Sequence, residues 1–187
     1  MTTTAPVRTE RLDLRPVAGD DLAALHALHS DPAVWTHFPA GRHTSVQRTA
    51  RFVAEAAQSW ARDGLGYWSV RLAGDGEAGP VVGVGGCAVR DDDRWNLYYR
   101  FAPRVWGSGL ATELAVAAIE AAGRVRPELP VVAYLLEHNE GSKRTAERAG
   151  MSLVWRGPDA AVPDGIRLVY ADRPLTQTAL EAVLRHT

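Results

Sequence analysis

The stretch Arg104-Val-Trp-Gly107-Ser-Gly109-Leu-Ala111 sets an arginine and two glycines directly ahead of an alanine-rich run, a combination suited to binding an anion. The first N–H groups of a helix have no intrahelical partner and lie at the positive end of its dipole. Glycines at 107 and 109 let that backbone approach phosphate oxygens without side-chain interference, and Arg104 adds a cationic contact. The same residues serve equally as a tight strand-to-helix turn, and two glycines alone do not separate the readings. A second group follows an apolar run: Glu137 and His138 can ionise, Asn139 and Ser142 can hydrogen-bond, and Lys143 and Arg144 carry positive charge.

Other chemistries fail on their residues. Lys143 is the only lysine, and no Gly-Lys dipeptide occurs, so a P-loop is excluded. Gly-x-Ser-x-Gly is absent, which removes the nucleophile turn of the α/β-hydrolases. Gly83-Val-Gly85-Gly-Cys-Ala88 fits a dinucleotide fingerprint, but Val89-Arg-Asp-Asp-Asp-Arg follows it, a turn rather than a helix. These glycines read as a strand with close neighbours or a bulge. His26 and His29 lie three apart but lack a third ligand at metal spacing, so no metal site is expected.

The elements that must position these groups follow from periodicity. Arg8–Val17 alternates as a first strand. Asp20 or Asp21 caps a helix carrying Leu22, Leu25 and Leu28, which stops before Asp31-Pro32. A second helix starts at Thr44 or Ser45 and runs to about Arg62, with Val46, Phe52, Val53, Ala56 and Trp60 near one face. Tyr67–Leu72, Val81–Arg90 and Trp95–Phe101 form a meander, turning through Gly74-Asp-Gly76 and Asp91-Asp-Asp93. The run from Gly109 to Gly123 is a helix on propensity alone. Val131–Glu137 is a buried strand, Gly141–Ala149 a helix, Met151–Arg156 and Ile166–Ala171 strands, and Thr176 or Thr178 caps a last helix. The fold class is α+β in one domain.

In their order, these features resemble the GNAT superfamily of acyl-CoA N-acyltransferases. The resemblance rests on Arg104-x-x-Gly107-x-Gly109 opening a helix after a meander, then a strand and Asn139-x-x-Ser142 before a helix ending at Gly150-Met151. Thr9-Glu-Arg-Leu-Asp-Leu-Arg-Pro16, Asp31-Pro32, Trp106-Gly-Ser-Gly-Leu-Ala-Thr-Glu113 and Asn139-Glu-Gly-Ser-Lys-Arg144 are similar to the subgroup of ribosomal-protein alanine N-acetyltransferases, RimJ and RimL. It spans about residues 7 to 172.

The resemblance implies a mixed, mostly antiparallel sheet of about seven strands, splayed between the fourth and fifth and flanked by helices on both faces. It implies acetyl-CoA as co-substrate and no metal. The diphosphate would lie on the amides of Val105 to Ala111, through Trp106 and Leu110, and the pantetheine along the strand near Phe101. Asn139 would meet the pantetheine arm or a water beside it, and Lys143 or Arg144 the adenosine 3'-phosphate, unless these are solvated helix charges. A backbone N–H near Phe101 would be the oxyanion donor.

Many relatives protonate the leaving thiolate with a tyrosine at the position of Ala146. Ser142 is the expected substitute here, or else an N-cap. The strand position where relatives carry a basic glutamate is Asn96. Glu137, His138 and Tyr98 are the nearest replacements, though each has a plainer structural use. A weak base favours a low-pKa acceptor: at pH 7.5 about a third of an α-amine is neutral, against about 0.1% of a lysine. The acceptor is a protein N-terminus or a small-molecule amine. The alternative is an acyl-CoA-binding sensor that kept the cradle and lost catalysis, suggested by Asn96 and Ala146.

The composition agrees with a transferase of small ligands. The chain has 187 residues and a net charge of -1, which supplies no global basic field for nucleic acid or a membrane. No apolar run is long enough to span a bilayer, the lone Cys87 permits no internal disulfide, and the start at Met1 lacks a signal peptide, so the expected location is cytoplasmic. The chain is expected as a monomer or homodimer. Trp60 and Trp68 are expected in the core and Trp106 beneath its loop, while Trp35, His37 and Phe38 fall where relatives overhang the acceptor.

Overall fold

The computed structural model describes residues 6–75 and 79–185. Met1 to Ala5 and Gly76, named above, lie outside the described residues. Thirteen regular elements follow one another: β1 (Val7–Arg8), β2 (Leu12–Pro16), α1 (Leu22–Ser30), α2 (Val46–Asp63), β3 (Tyr67–Leu72), β4 (Gly83–Arg90), β5 (Arg94–Phe101), α3 (Leu110–Val125), β6 (Val131–Leu136), α4 (Glu140–Arg148), β7 (Ser152–Pro158), β8 (Ile166–Ala171) and α5 (Gln177–Leu184). The strands form one sheet in the order β1-β2-β3-β4-β5-β6-β8-β7, antiparallel throughout except for β5 with β6.

The sheet has eight strands rather than about seven because the expected first strand is a hairpin. Val7 pairs with Leu14 and Arg8 with Asp13, and the chain reverses through Thr9, Glu10 and Arg11. Thr9 closes the turn, its N–H donating to the Leu12 carbonyl at 3.0 Å and its Oγ1 accepting from the Leu12 N–H at 3.1 Å. The Asp91–Asp93 turn works differently: Asp91 and Asp92 take left-handed φ of 50° and 56°, and Arg94 pairs with Asp91 and Asp93.

Helices cover both faces. Against one face, α3 buries Leu110, Leu114, Ala115, Ala118 and Ala122, whose small side chains bring it close to β4 and β5. The fingerprint-like glycines permit that approach: a Cβ on Gly85 would stand 2.7 Å from Leu114 Cδ2 and 2.4 Å from the Tyr98 carbonyl. No helix follows β4, so the glycines serve packing alone. On the opposite face α1 and α2 cover β3 to β5, and α5 covers β6 and β8.

Asp21 precedes α1 without a side-chain cap; its carboxylate accepts instead from the Ala18 N–H and from Arg71. Ser45 caps α2, and Gly64 at φ 73° ends it. Thr49, Val53, Ala56 and Trp60 lie on its buried stripe, whereas Val46, expected inside, is the first helical residue and is 46% exposed. Trp60 and Trp68 are buried as expected. Thr176, not Thr178, caps α5. Among the described residues no helix is long and apolar enough to cross a membrane.

Candidate active site

β5 and β6 pair only at Trp95 with Val131 and at Asn96 with Val132. Beyond that point β6 stays registered with β8 and β5 with β4, so each strand holds its outer neighbour while their inner edges part. The Trp95 N–H donates across the joined end to the Pro130 carbonyl at 2.9 Å. Strand alternation turns the N–H groups of Leu97, Tyr99 and Phe101 toward the same side; the register gives Leu97 to Val132, and beyond it the gap leaves Tyr99 and Phe101 without strand partners.

At the open end of the gap the chain passes through a short 3-10 turn, Pro103–Val105, to α3. Gly107 and Gly109 adopt φ of 75° and 81°, which L side chains rarely take, and a Cβ on Gly107 would meet nothing within 4 Å. The amides of Gly107 through Thr112 donate to no carbonyl, and α3 has no side-chain cap. Six consecutive backbone donors therefore converge at a helix N-terminus, which suits a diphosphate.

Glu113 anchors this loop from behind. Its carboxylate accepts from Thr9 Oγ1 at 2.6 Å, the Arg11 N–H at 2.8 Å and Arg11 Nε at 2.7 Å, while Arg11 also reaches the Ser108 carbonyl at 2.7 Å. Arg104 is exposed and donates to the Val81 carbonyl at 3.3 Å. Trp106 does not pack under the loop: it is 53% exposed, and its indole N–H donates to the Phe101 carbonyl at 2.7 Å, since Phe101 turns that oxygen into the gap.

Across the gap, Asn139 and not Ser142 is the N-cap of α4, its Oδ1 accepting from the Ser142 N–H at 3.1 Å. Lys143 is held by Glu140 at 2.9 Å, whereas Arg144 is exposed and without an ion pair. Tyr99, which the sequence reading passed over, reaches from β5 to α4 and donates its hydroxyl to the Ser142 carbonyl at 3.0 Å. Burial pushes its phenol up to about 12, against hydrogen bonding from Ser142 and Thr145. Ala146 is fully buried on α4, packed in the main core, and has no hydroxyl to offer the gap. The alternation of β5 could have flagged Tyr99, since it shares the α3-side face with Leu97 and Phe101.

The other face of the gap lies under α1 and α2. Arg100 donates from Nε to the Tyr98 hydroxyl at 2.8 Å and from Nη1 to the Val34 carbonyl at 2.7 Å, with its Cζ 3.5 Å from the Trp35 ring centre. His29 is 1% exposed; its Nδ1 lies 2.8 Å from the Leu25 carbonyl and its Nε2 3.1 Å from the Tyr98 hydroxyl. A carbonyl only accepts, so Nδ1 carries the proton, and the neutral ring accepts the Tyr98 hydroxyl at Nε2. Burial, aided by Arg100, pushes His29 down to about 3 and His37 and His43 to about 4. His26 bonds Thr49 instead of sharing a metal with His29, and no group of three His, Cys, Asp or Glu suited to a metal occurs among the described residues.

The remaining ionisable candidates are occupied. Glu137 is bound at both oxygens by Arg156, at 2.7 and 3.0 Å, which holds its carboxyl below the usual range. His138 Nε2 lies 2.9 Å from the His37 carbonyl and must donate there. Asn96 donates to the Tyr67 hydroxyl at 3.2 Å and lines a cavity of about 450 Å³ with Arg94 and Tyr134. Burial raises the Tyr98 phenol, so it too resists ionising.

Comparison with known proteins agrees with this architecture. Residues 11–152 match the acetyltransferase (GNAT) domain. The YkkB protein of Bacillus subtilis (strain 168) is 28% identical over 147 residues, covering 76% of this chain and 83% of that protein. An acetyltransferase from Agrobacterium tumefaciens str. C58 superimposes with a TM-score of 0.75 at 26% identity, over 92% of this chain and 96% of that one. RimL, the ribosomal L7/L12 α-N-protein acetyltransferase solved with coenzyme A, gives a TM-score of 0.73 at 18% identity, over 89% and 97% of the two chains. The match over residues 11–152, on a sheet that parts between β5 and β6, places the chain in the GNAT acetyltransferase family.

Proposed function

We propose that this enzyme carries an acetyl group from acetyl-CoA to the neutral α-amine of a protein N-terminus or a small molecule, by direct attack within a ternary complex. The observation that carries the reading is the union of two features: a run of unpartnered amides at Gly107–Thr112 and a gap edged by the N–H groups of Tyr99 and Phe101, which lie beyond the last β5–β6 pair. The loop amides, with Arg104 beside them, take the diphosphate, and Arg144 is the free cation for the 3'-phosphate. Asn139 keeps its amide NH2 for the pantetheine, since only its Oδ1 caps α4. That RimL was solved with coenzyme A, and the microcin self-immunity acetyltransferase MccE with acetyl-CoA, supports the choice of co-substrate.

The acetyl group comes from the thioester; this chain supplies orientation, an oxyanion donor and a proton for the departing sulfur. The strand N–H of Tyr99 or Phe101 faces the carbonyl oxygen, and the hydroxyls of Ser142 and Tyr99 stand on the sulfur side. As the amine nitrogen bonds to the carbonyl carbon the C–S bond breaks, the thiolate takes a proton from one of those hydroxyls, the amine gives its proton to solvent, and solvent returns a proton to the hydroxyl. Among the described residues none of the candidate bases stands free: Glu137, His138, His29 and Tyr98 are each committed. Proximity and amide donors therefore bear most of the catalysis, and the acceptor must arrive neutral.

Thiol release with peptides matched except for the position of the amine tests this. An N-terminal α-amine is expected to exceed the lysine side chain of an N-terminally blocked peptide by about three hundredfold near neutral pH, following their neutral fractions; the reverse order would refute it. The second reading, an acyl-CoA-binding module without turnover, is favoured by Asn96 and Ala146. It predicts thermal stabilisation by acetyl-CoA with no amine-dependent thiol release.

A further inference from the structure

Arg100 is half-buried on the acceptor side of the gap and has no carboxylate within 4.0 Å among the described residues. Its partners are a carbonyl, a phenol and an indole face. The ionisable groups that feel its charge are imidazoles and a phenol: His29 on α1, His37 and His43 in the α1–α2 connection and Tyr98 on its own strand, with His26 and Arg48 beyond them next to His29 and His43. No Asp or Glu pairs with Arg100 among the described residues, although the chain as a whole is slightly acidic. A guanidinium has five N–H donors, and two are taken by the Tyr98 and Val34 oxygens. A half-buried cation left without a counter-ion has given up hydration that an anion would restore.

We propose that Arg100 anchors an acceptor bearing an anionic group, a carboxylate or a phosphate, beside its amine. This rests on the acetyltransferase reading and deepens it by naming the acceptor's charge. The coenzyme is not the source of that anion, because its phosphates belong to the α3 loop on the other face of the sheet, and β5 separates the two. Two residues position the guanidinium. Trp35 stacks on it, and its indole N–H is itself fixed to the His29 carbonyl at 2.7 Å. Tyr98 accepts from Nε with its own proton committed to His29, so the phenol oxygen faces Arg100 as an acceptor and the free guanidinium N–H groups turn away from it. His138 donates to the His37 carbonyl at 2.9 Å and so links the end of β6 to the α1–α2 connection on this side.

The test uses N-terminal peptides matched in amine basicity: aspartyl against asparaginyl for the carboxylate, phosphoseryl against seryl for the phosphate. In the unaltered enzyme one charged member is expected to exceed its neutral partner about tenfold or more in kcat/KM, chiefly through KM. Arg100→Gln should abolish that preference while leaving stabilisation by acetyl-CoA intact, and Arg100→Lys should restore part of it. Equal kcat/KM for charged and neutral partners in the unaltered enzyme, or a preference that survives Arg100→Gln, overturns the proposal. Should no peptide be turned over, thermal stabilisation by the N-acetylated aspartyl or phosphoseryl peptide reads the same site: stabilisation lost in Arg100→Gln supports the anchor, and none in the unaltered protein refutes it. Acetyl-CoA stabilisation and turnover of neutral amines judge the acetyltransferase reading separately.

Discussion

Glu113→Ala tests the loop that is proposed to hold the coenzyme, because a single carboxylate ties the β1–β2 turn to the start of α3. The substitution removes three hydrogen bonds, from Thr9 Oγ1, the Arg11 N–H and Arg11 Nε. Each bond to a charged acceptor contributes about 1.5–3 kcal/mol where it is shielded from water. The Arg11 side chain is 46% exposed, so its ion pair is screened and contributes little, and water can replace the carboxylate at the Arg11 amide. About 2–3 kcal/mol remains, carried mostly by Thr9, whose short bond closes the turn. A chain of this size loses about 2–4 °C in Tm for each kcal/mol, so Glu113→Ala should melt about 5–10 °C lower near neutral pH.

The pH dependence of that deficit has a fixed sign. Burial raises the Glu113 carboxyl, but the hydrogen bonds from Thr9 and Arg11 outweigh it and the group ends below its usual value. Its stabilisation is present above the unfolded carboxylate pKa and disappears as pH falls through the lower folded value. Differential scanning across that range should show the unaltered protein and Glu113→Ala converging at the acid end. Acetyl-CoA stabilisation should weaken in the variant as well, since Arg11, freed from Glu113, no longer steadies the Ser108 carbonyl. A Tm within about 1 °C of the unaltered protein, or a deficit unchanged in acid, would refute the reasoning.

Three other outcomes follow from named contacts. Gly109→Ala has room, its Cβ falling 3.6 Å from Arg11 Nη2, but it forces alanine to φ 81° and should cost about 1–2 kcal/mol, read by denaturant unfolding. Tyr99→Phe should lower kcat with little change in the KM for acetyl-CoA, measured by thiol release, because the hydroxyl stands at the sulfur side and not on the phosphates. His29, buried and pushed down to about 3, adds stability that is complete above its unfolded value near 6.5 and drains away as pH falls toward the folded one; unfolding should therefore lose about 2 kcal/mol between neutral pH and about 5, and His29→Asn should flatten that slope.

The sequence was most legible where local rules act alone. Ser45 and Gly64 bound α2, Pro32 stops α1, and the alanine run from Leu110 makes α3, each decided within a few residues. The loop glycines were legible for the same reason, since a positive φ leaves a glycine in the chain. What stayed hidden depends on residues far apart. The β1–β2 hairpin reads as one alternating strand because the bond that stabilises its turn comes from Glu113, 104 residues beyond Thr9. Ser142 looked like a cap until the structure gave that role to Asn139. Tyr98 and Tyr99 are adjacent in sequence, yet strand alternation sends one to the acceptor face and the other to the coenzyme face. Arg100 carried no sign of its missing partner, because a counter-ion's absence is visible only when every neighbour is placed.

The gap itself explains why these side chains matter. Parting β5 from β6 leaves strand N–H and C=O groups without ladder partners, and an unpaired buried amide costs about 1–3 kcal/mol. The protein offsets this with side-chain bonds at the rim. Trp106 covers the Phe101 carbonyl on the coenzyme side, Tyr99 links β5 to α4, and His138 links the end of β6 to the α1–α2 connection on the acceptor side. None of the three fills the middle, where Tyr99 lies beyond the last β5–β6 pair and keeps its amide free. The rim bonds hold the strands at a fixed distance, so donors for a developing oxyanion are already aimed before any ligand arrives, and the reorganisation that would otherwise raise the barrier has been met in folding. An enzyme acting as proposed above, with none of its candidate bases free among the described residues, would rely on such preorganisation and on an acceptor that reaches the gap already deprotonated.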